Sequence, residues 1–241
     1  KGYTHFETTP RWENHLPADW KLTIMGLKTN DIFFEKQGRS IARWKITDTF
    51  VVYLKRHYRL PFRDALRAIL SPSRPASPGM QEWKHLEIAR SLNVPVPPSV
   101  AAGEWLTPNG KLSSFIAVEE LTNQYALHEA IPMAKKRYSP NEFREWKRGL
   151  IRELVRLSHL FHMKGYFHRD WYLCHFYIHE KDIHTIPNDW QNHVTVIDLH
   201  RLTKQKLKSI MFRAKDVAQL LYSTTVDGVT RRDQLEFWAL Y

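Results

Sequence analysis

Two carboxylates and one imidazole are spaced as catalysis would require. In GYFHRDWYLCHFYI, Asp170 ends an HRD triplet and His175 follows five residues later; in VTVIDLHR, Asp198 ends a short β-branched run. A carboxylate beside a hydroxyl can take its proton, and a second carboxylate can hold a divalent cation. Upstream, Val52-Tyr53-Leu54-Lys55 carries a lysine on a strand-like run, and Glu82 lies early in the next helical pattern, with Glu87 as the alternative partner. Transfer of a phosphoryl group needs positive charge on its oxygens and a proton acceptor at the attacking hydroxyl, and these residue types supply both. Singly they are weak: an aspartate beside an arginine in a loop is more often a surface ion pair, and a strand-end lysine more often a surface lysine. Their order along the chain, Lys, Glu, HRD, Asp, is the informative feature.

The elements that must position them are legible in outline. Asp31 to Phe34, Ser40 to Ile46 and Phe50 to Lys55 are β-branched and aromatic runs between Gly or Asp turn signals, which predicts an early antiparallel meander. A helix is predicted over Pro78 to Leu92, a strand over Ser114 to Glu119, and a long helix over Asn141 to Met163, whose Phe143, Trp146, Leu150, Leu154, Leu157 and Phe161 form one apolar stripe. Strands at Phe176 to Ile178 and Val194 to Ile197, then helices at Arg213 to Tyr222 and from Arg231, complete the pattern. Strands followed by helices indicate an α+β fold rather than a doubly wound sheet. SPSRPASPG at 71–79 reads as an exposed loop.

The 241 residues carry 43% hydrophobic and 25% charged side chains, enough for a real core, and the net charge of +11 points to an anionic partner. Basic residues crowd two stretches: Lys55, Arg56, Arg59, Arg63, Arg67 and Arg74 against Asp64 alone, and Arg201, Lys204, Lys206, Lys208, Arg213 and Lys215 with no acid. No apolar run is long enough to cross a bilayer, and the first residues lack a secretory apolar core. Cys174 is the only cysteine, so no internal disulfide can form, a reducing cytoplasmic compartment is expected, and the thiol is expected to be buried packing. A start without Met and an end inside an apolar pattern are expected of a trimmed chain.

The constellation has the layout of a protein-kinase catalytic loop and metal site, in which the HRD aspartate accepts the hydroxyl proton and an aspartate after the next strand binds magnesium across the nucleotide phosphates. More specifically, HRDWYLCHF, IDLHR and FRAKDVAQLLYSTTVDGVTRRD resemble the lipopolysaccharide kinases that act on core heptose, distant relatives of protein kinases. The resemblance covers most of the chain. It implies a bilobal protein-kinase-like fold, with a β-rich N-lobe over residues 1–122 and a helical C-lobe over 123–241. It implies ATP and Mg²⁺, with Mn²⁺ as an alternative, a lipopolysaccharide core sugar as acceptor, and a place on the cytoplasmic face of the inner membrane. By position, Lys55 and Glu82 match the phosphate-binding pair, Asp170 the base, His175 and Asp198 the metal residues, and Glu119 to Leu121 the hinge whose backbone meets adenine. Asp216 matches a buried aspartate that accepts hydrogen bonds from the catalytic loop; an acid at a helix N-terminus is the equal alternative.

Two departures qualify the match. The expected phosphate loop, EKQGRSIARW, has only Gly38, so side chains such as Lys36 or Arg39 are expected to contribute. His175 stands where protein kinases have Asn, and magnesium prefers oxygen; His175 is expected to bind metal weakly, to orient Asp170 or to favour manganese. His175 and His179 would form a transition-metal pair only on a helix, whereas Phe-Tyr-Ile between them reads as strand. The rival readings are a protein kinase, disfavoured because no A-P-E-type segment follows Asp198, and a basic pseudokinase-type binding module, disfavoured because binding alone requires none of Lys55, Asp170 and Asp198. No RNA-binding aromatic motif or zinc knuckle is present, and no nucleic-acid partner is expected.

Overall fold

A computed structural model of the chain describes residues 3–29, 31–36, 38–60 and 77–241, with the backbone alone at Phe34 and Lys36. Arg63, Asp64, Arg67, Arg74 and most of the expected loop at 71–79 lie outside the described residues, as does the Lys36 side chain. The chain divides into two compact units, Lys1–Glu87 with Pro97–Glu120, and Ile88–Val96 with Leu121–Tyr241.

The first unit contains β1 (Tyr3–Thr8), the short helices α1 (Pro10–His15) and α2 (Trp20–Thr23), β2 (Asp31–Lys36), β3 (Arg39–Thr47) and β4 (Phe50–His57). Helix α3 (Pro78–Ser91), β5 (Ser99–Leu106) and β6 (Leu112–Glu119) follow. The strands form one sheet in the order β1-β5-β6-β4-β3-β2, antiparallel throughout. The expected meander is β2 to β4, whereas β1 and β5 extend beyond it; the VPVPP segment precedes β5 and hides its β character behind prolines.

Alternation along β4 decides what each face does. Phe50, Val52 and Leu54 are buried with Trp12, Trp20, Ile24 and Phe115 in one cluster, each such aliphatic or phenyl side chain contributing about 2 kcal/mol. Trp12 and Trp20 meet edge to face at 5.5 Å. Arg56, on the same face, is buried and donates to the carbonyls of Ile24 and Leu27 at 3.4 and 2.6 Å and to Ser40 Oγ at 3.1 Å. Lys55 therefore points to the opposite face. Helix α3 comes close to β6 because residue 79 is glycine: a Cβ there would stand 2.6 Å from the carbonyl oxygen of Phe115.

The second unit holds β7 (Gln124–Ala126), α4 (Leu127–Arg137), α5 (Pro140–His162), β8 (Tyr166–Phe167), β9 (Phe176–His179) and α6 (Glu180–His184). It continues with β10 (Val194–Val196), β11 (Thr203–Lys204), α7 (Ser209–Ser223) and α8 (Arg231–Leu240). Ser139 and Glu142 form a capping box at the start of α5, with Pro140 at its first turn. The expected stripe from Phe143 to Phe161 is buried. Helix α4 goes beyond the sequence expectation, because Pro132 lies inside it and proline normally marks a break. Two small sheets, β10-β9-β7 and β11-β8, complete this unit.

Candidate active site

In the first unit the strand lysine meets its helix glutamate. Lys55 Nζ donates to Glu82 Oε1 at 2.7 Å, with the Glu82 carboxylate buried, while Glu87, the alternative, is exposed on α3. At the end of β6, Arg11 binds the Glu119 carboxylate at 2.7 Å, and Arg43 binds Glu120 in a fork at 2.6 and 2.8 Å. The fork holds the Glu120 carboxyl below the usual carboxylate range. The N–H of Glu119 goes to Pro98 O at 2.8 Å and that of Glu120 to Val51 O at 2.9 Å, so the next backbone donor along the chain is Leu121. Gly38 has a φ of 73°, the left-handed conformation that favours glycine in this turn.

In the second unit an antiparallel pair sets the other residues. Phe176 of β9 lies opposite Val196 of β10, and the N–H of Ile197 donates to His175 O at 2.9 Å. His175 just before β9 and Asp198 just after β10 thus reach the same end of the pair, with Nε2 and Oδ2 at 3.9 Å. The Nδ1–H of His175 donates to the carbonyl of Asp170 at 2.6 Å, which fixes the tautomer and leaves Nε2 with its lone pair on the Asp198 side. Asp198 also accepts from His200 Nδ1 at 2.7 Å. The Asp170 carboxylate is held by Arg201 Nη1 at 2.8 and 3.1 Å. His179 ends the strand that separates it from His175, and its ring accepts the N–H of Lys181.

Helix α7 grips the HRD loop from beneath. Asp216, fully buried, accepts the backbone N–H of His168 and of Arg169, each at 2.8 Å, and the Nε2–H of His162 at 3.3 Å. Gln219 donates to Arg169 O at 3.0 Å and accepts from Trp171 N at 3.2 Å, and Ser223 accepts from Leu173 N at 2.9 Å. Asp216 sits in the middle of α7, which starts at Ser209 rather than Arg213. A helix-dipole role is therefore excluded, because the dipole acts within the first turn.

The loop is also strained, and its first residue, His168, is buried. Arg169 and Asp198 adopt φ of 70° and 61°, a left-handed conformation that costs about 1 kcal/mol or more for a side chain other than glycine. His168 is fully buried and donates from Nε2 to Ile197 O at 3.0 Å; burial pushes its pKa down to about 4. Sequence reasoning missed His168, Arg201, Gln219 and Ser223. A signal existed for the last two: Asp216, Gln219 and Ser223 recur at i, i+3 and i+7 among the buried Val217 and Leu220, a polar stripe on an inward face.

Two expectations need correction. Cys174 is exposed, not packed in the core, because it falls in the 3₁₀ turn Leu173–His175, where Leu173 takes the inward position. Lys55, Arg56 and Arg201 do not contribute free charge to the two basic stretches, since each is engaged as described above.

The Lipopolysaccharide kinase (Kdo/WaaP) family model matches residues 27–241, and the chain belongs to that family. It is a phosphotransferase with an alcohol group as acceptor, on the α+β, protein-kinase-like fold expected from the sequence. It is similar to the lipopolysaccharide core heptose(I) kinase WaaP of Pseudomonas aeruginosa, 30% identical over 210 residues, 87% of this chain and 76% of that protein. The WaaP of Escherichia coli is 27% identical over 230 residues, 95% of this chain and 83% of that one. Among solved structures, WaaP in complex with acyl carrier protein is similar at a TM-score of 0.74 and 26% identity, covering 98% of this chain and 88% of that chain.

Proposed function

We propose that this chain is an ATP-dependent kinase that phosphorylates a hydroxyl of heptose in the lipopolysaccharide inner core. The observation that carries the reading is the ion pair of Lys55 with Glu82 in the first unit and the approach of His175 to Asp198 in the second, in a chain similar over most of its length to heptose(I) kinases. Asp170 is the base that takes the acceptor proton, with Arg201 fixing its carboxylate. Lys55, oriented by Glu82, neutralises nucleotide phosphate, and the backbone from Glu119 to Leu121 receives adenine.

Asp198 is the carboxylate that would hold a magnesium ion, with His175 beside it. Among the described residues no three His, Cys, Asp or Glu side chains gather as a closed metal cage, and magnesium is held by one or two carboxylates plus phosphates and water. Adjacent ligands in a magnesium octahedron stand about 3.0 Å apart; His175 Nε2 and Asp198 Oδ2, at 3.9 Å, are wider than that, so Asp198 would be the direct ligand and His175 would reach the ion through a water or after a small shift. Such an ion would neutralise charge on the phosphates. The imidazole donor would raise the relative affinity for manganese.

The acceptor is borne on the cytoplasmic face of an anionic membrane, and the chain works there peripherally. No described helix is long and apolar enough to cross a membrane, and Lys204, Lys206 and Lys208 are exposed cations in an acid-free stretch. The related solved structure contains acyl carrier protein, so a carrier protein belongs among the partners to be tested. The deciding experiment supplies labelled ATP and dephosphorylated core oligosaccharide, then locates new phosphate by NMR. Phosphate on a heptose hydroxyl is expected; label on protein substrates alone would sink the reading.

A further inference from the structure

The acid-free stretch from Arg201 to Lys215 is more than a patch of charge. Lys204 pairs with Tyr166 across β11 and β8, and the N–H of Gln205 donates to Gly165 O at 2.8 Å. The turn after α5, at 163–165, and the turn before α7, at 205–208, are thereby fastened side by side. Phe212 packs inward, its ring 5.7 Å from that of Phe167, which directs its neighbours on the first turn of α7 outward. Leu207, Ile210 and Met211 are 101%, 84% and 57% exposed, and Met163 is 73% exposed. Around them Lys164, Lys204, Lys206, Lys208, Arg213 and Lys215 are all exposed.

We propose that this tip is a wedge that enters an anionic bilayer: Leu207, Ile210, Met211 and Met163 sink into the headgroup boundary while the surrounding cations meet lipid phosphates. Isolated apolar side chains are common on surfaces, but four on two joined turns and the adjoining first turn of α7, with six exposed cations close to them in sequence, match a surface that is apolar within and negative throughout its rim. Lysine stems extend the apolar contact and keep their ammonium groups at phosphate level. The wedge rests on the membrane-borne acceptor proposed above and deepens it, because apolar insertion is not screened by salt whereas attraction between charges is.

The test uses the full chain and vesicles of phosphatidylglycerol and phosphatidylcholine, sedimented at about 0.1 M and about 1 M salt. Replacing Leu207, Ile210 and Met211 together by Ser removes apolar area and leaves the charge alone. Vesicle partitioning should fall roughly tenfold per residue, on the order of a thousandfold in all, and the wild type should keep a bound fraction at high salt that the variant loses. Phosphorylation of soluble, delipidated core oligosaccharide should be unchanged in the variant, which also reports that it is folded. Equal partitioning of variant and wild type would overturn the wedge. So would capture of the tip by an acidic carrier protein that vesicles fail to displace. If the wild type does not phosphorylate the soluble acceptor, the kinase reading fails, circular dichroism replaces activity as the folding check, and the vesicle arm still decides the wedge.

Discussion

One guanidinium nitrogen of Arg201 spans both carboxylate oxygens of Asp170, at 2.8 and 3.1 Å, across thirty-one positions of sequence. The contact fixes the orientation of the carboxylate. Arg201→Gln should lower kcat by about tenfold to a hundredfold with little change in KM for ATP, since a misaimed base slows chemistry rather than binding. Arg201→Lys should recover part of the loss. In the double variant with Asp170→Asn, the Arg201 change should cost almost nothing further; additive losses would show that Arg201 acts elsewhere.

Asp170→Ala and Asp198→Ala should each reduce phosphoryl transfer by about a thousandfold or more while thermal melting stays near that of the wild type, because neither opens a core cavity. Asp198→Ala should also lose metal-dependent nucleotide binding. Lys55→Ala should weaken nucleotide handling by orders of magnitude, and Lys36→Ala much less. Equal losses would count against Lys55 as the phosphate lysine.

His175→Asn should retain more activity than His175→Ala and should shift the metal preference from manganese toward magnesium, because it exchanges nitrogen for oxygen. Activity titrated with each metal checks this. If Asn is as inactive as Ala in both, the function of His175 lies in its bond to the Asp170 carbonyl, which positions the loop.

Asp216→Ala should destabilise the fold by about 2–5 kcal/mol, since it strands two buried backbone N–H groups and His162. Denaturant midpoints would measure it. Asp216→Asn keeps two acceptor lone pairs on one oxygen and should cost less.

His168 makes stability depend on pH in a definite sense. Its folded pKa, pushed down by burial to about 4, lies below the value of about 6.5 in an unfolded chain. Between those values the unfolded chain takes up a proton that the native loop refuses. Stability therefore falls as pH falls through that window, by on the order of 3 kcal/mol, and is unaffected by this group above it. Melting temperature followed from pH 7 to 4 should drop less steeply in His168→Gln than in the wild type.

The residues proposed to carry chemistry were singled out because their types suit phosphate and metal, and because of their order along the chain. The pairing of Lys55 with Glu82 was expected from the order of a strand lysine and a helix glutamate, with Glu87 left as the alternative, and the structure pairs Lys55 with Glu82. Arg201 could not be paired in this way, since nothing in sequence distinguishes a cation facing Asp170 from the lysines that follow it in the same basic run. Helix α4 escaped notice because Pro132 obeys a local rule that burial of Leu127, Ala130, Ile131 and Ala134 overrides. Cys174 was misplaced because apolar neighbours suggest burial, whereas a 3₁₀ turn rotates successive side chains by a third of a circle.

The segment that delivers Trp12 and Trp20 to the sheet has a consequence for what counts as the kinase domain. Kinship with the family is recognised from residue 27, yet both indoles, Ile24 and the carbonyls that hold Arg56 lie before or at that point. The start of the family model and the start of the packed core are thus different places on this chain, while the similarity to the Escherichia coli WaaP covers 95% of it. A chain begun at residue 27 would keep every residue assigned to chemistry, but it would uncover one face of the β4 strand that carries Lys55 and leave a buried guanidinium without the Ile24 acceptor. The lysine proposed to hold phosphate thus shares its strand's packing with a segment that precedes the residues matched by the family model.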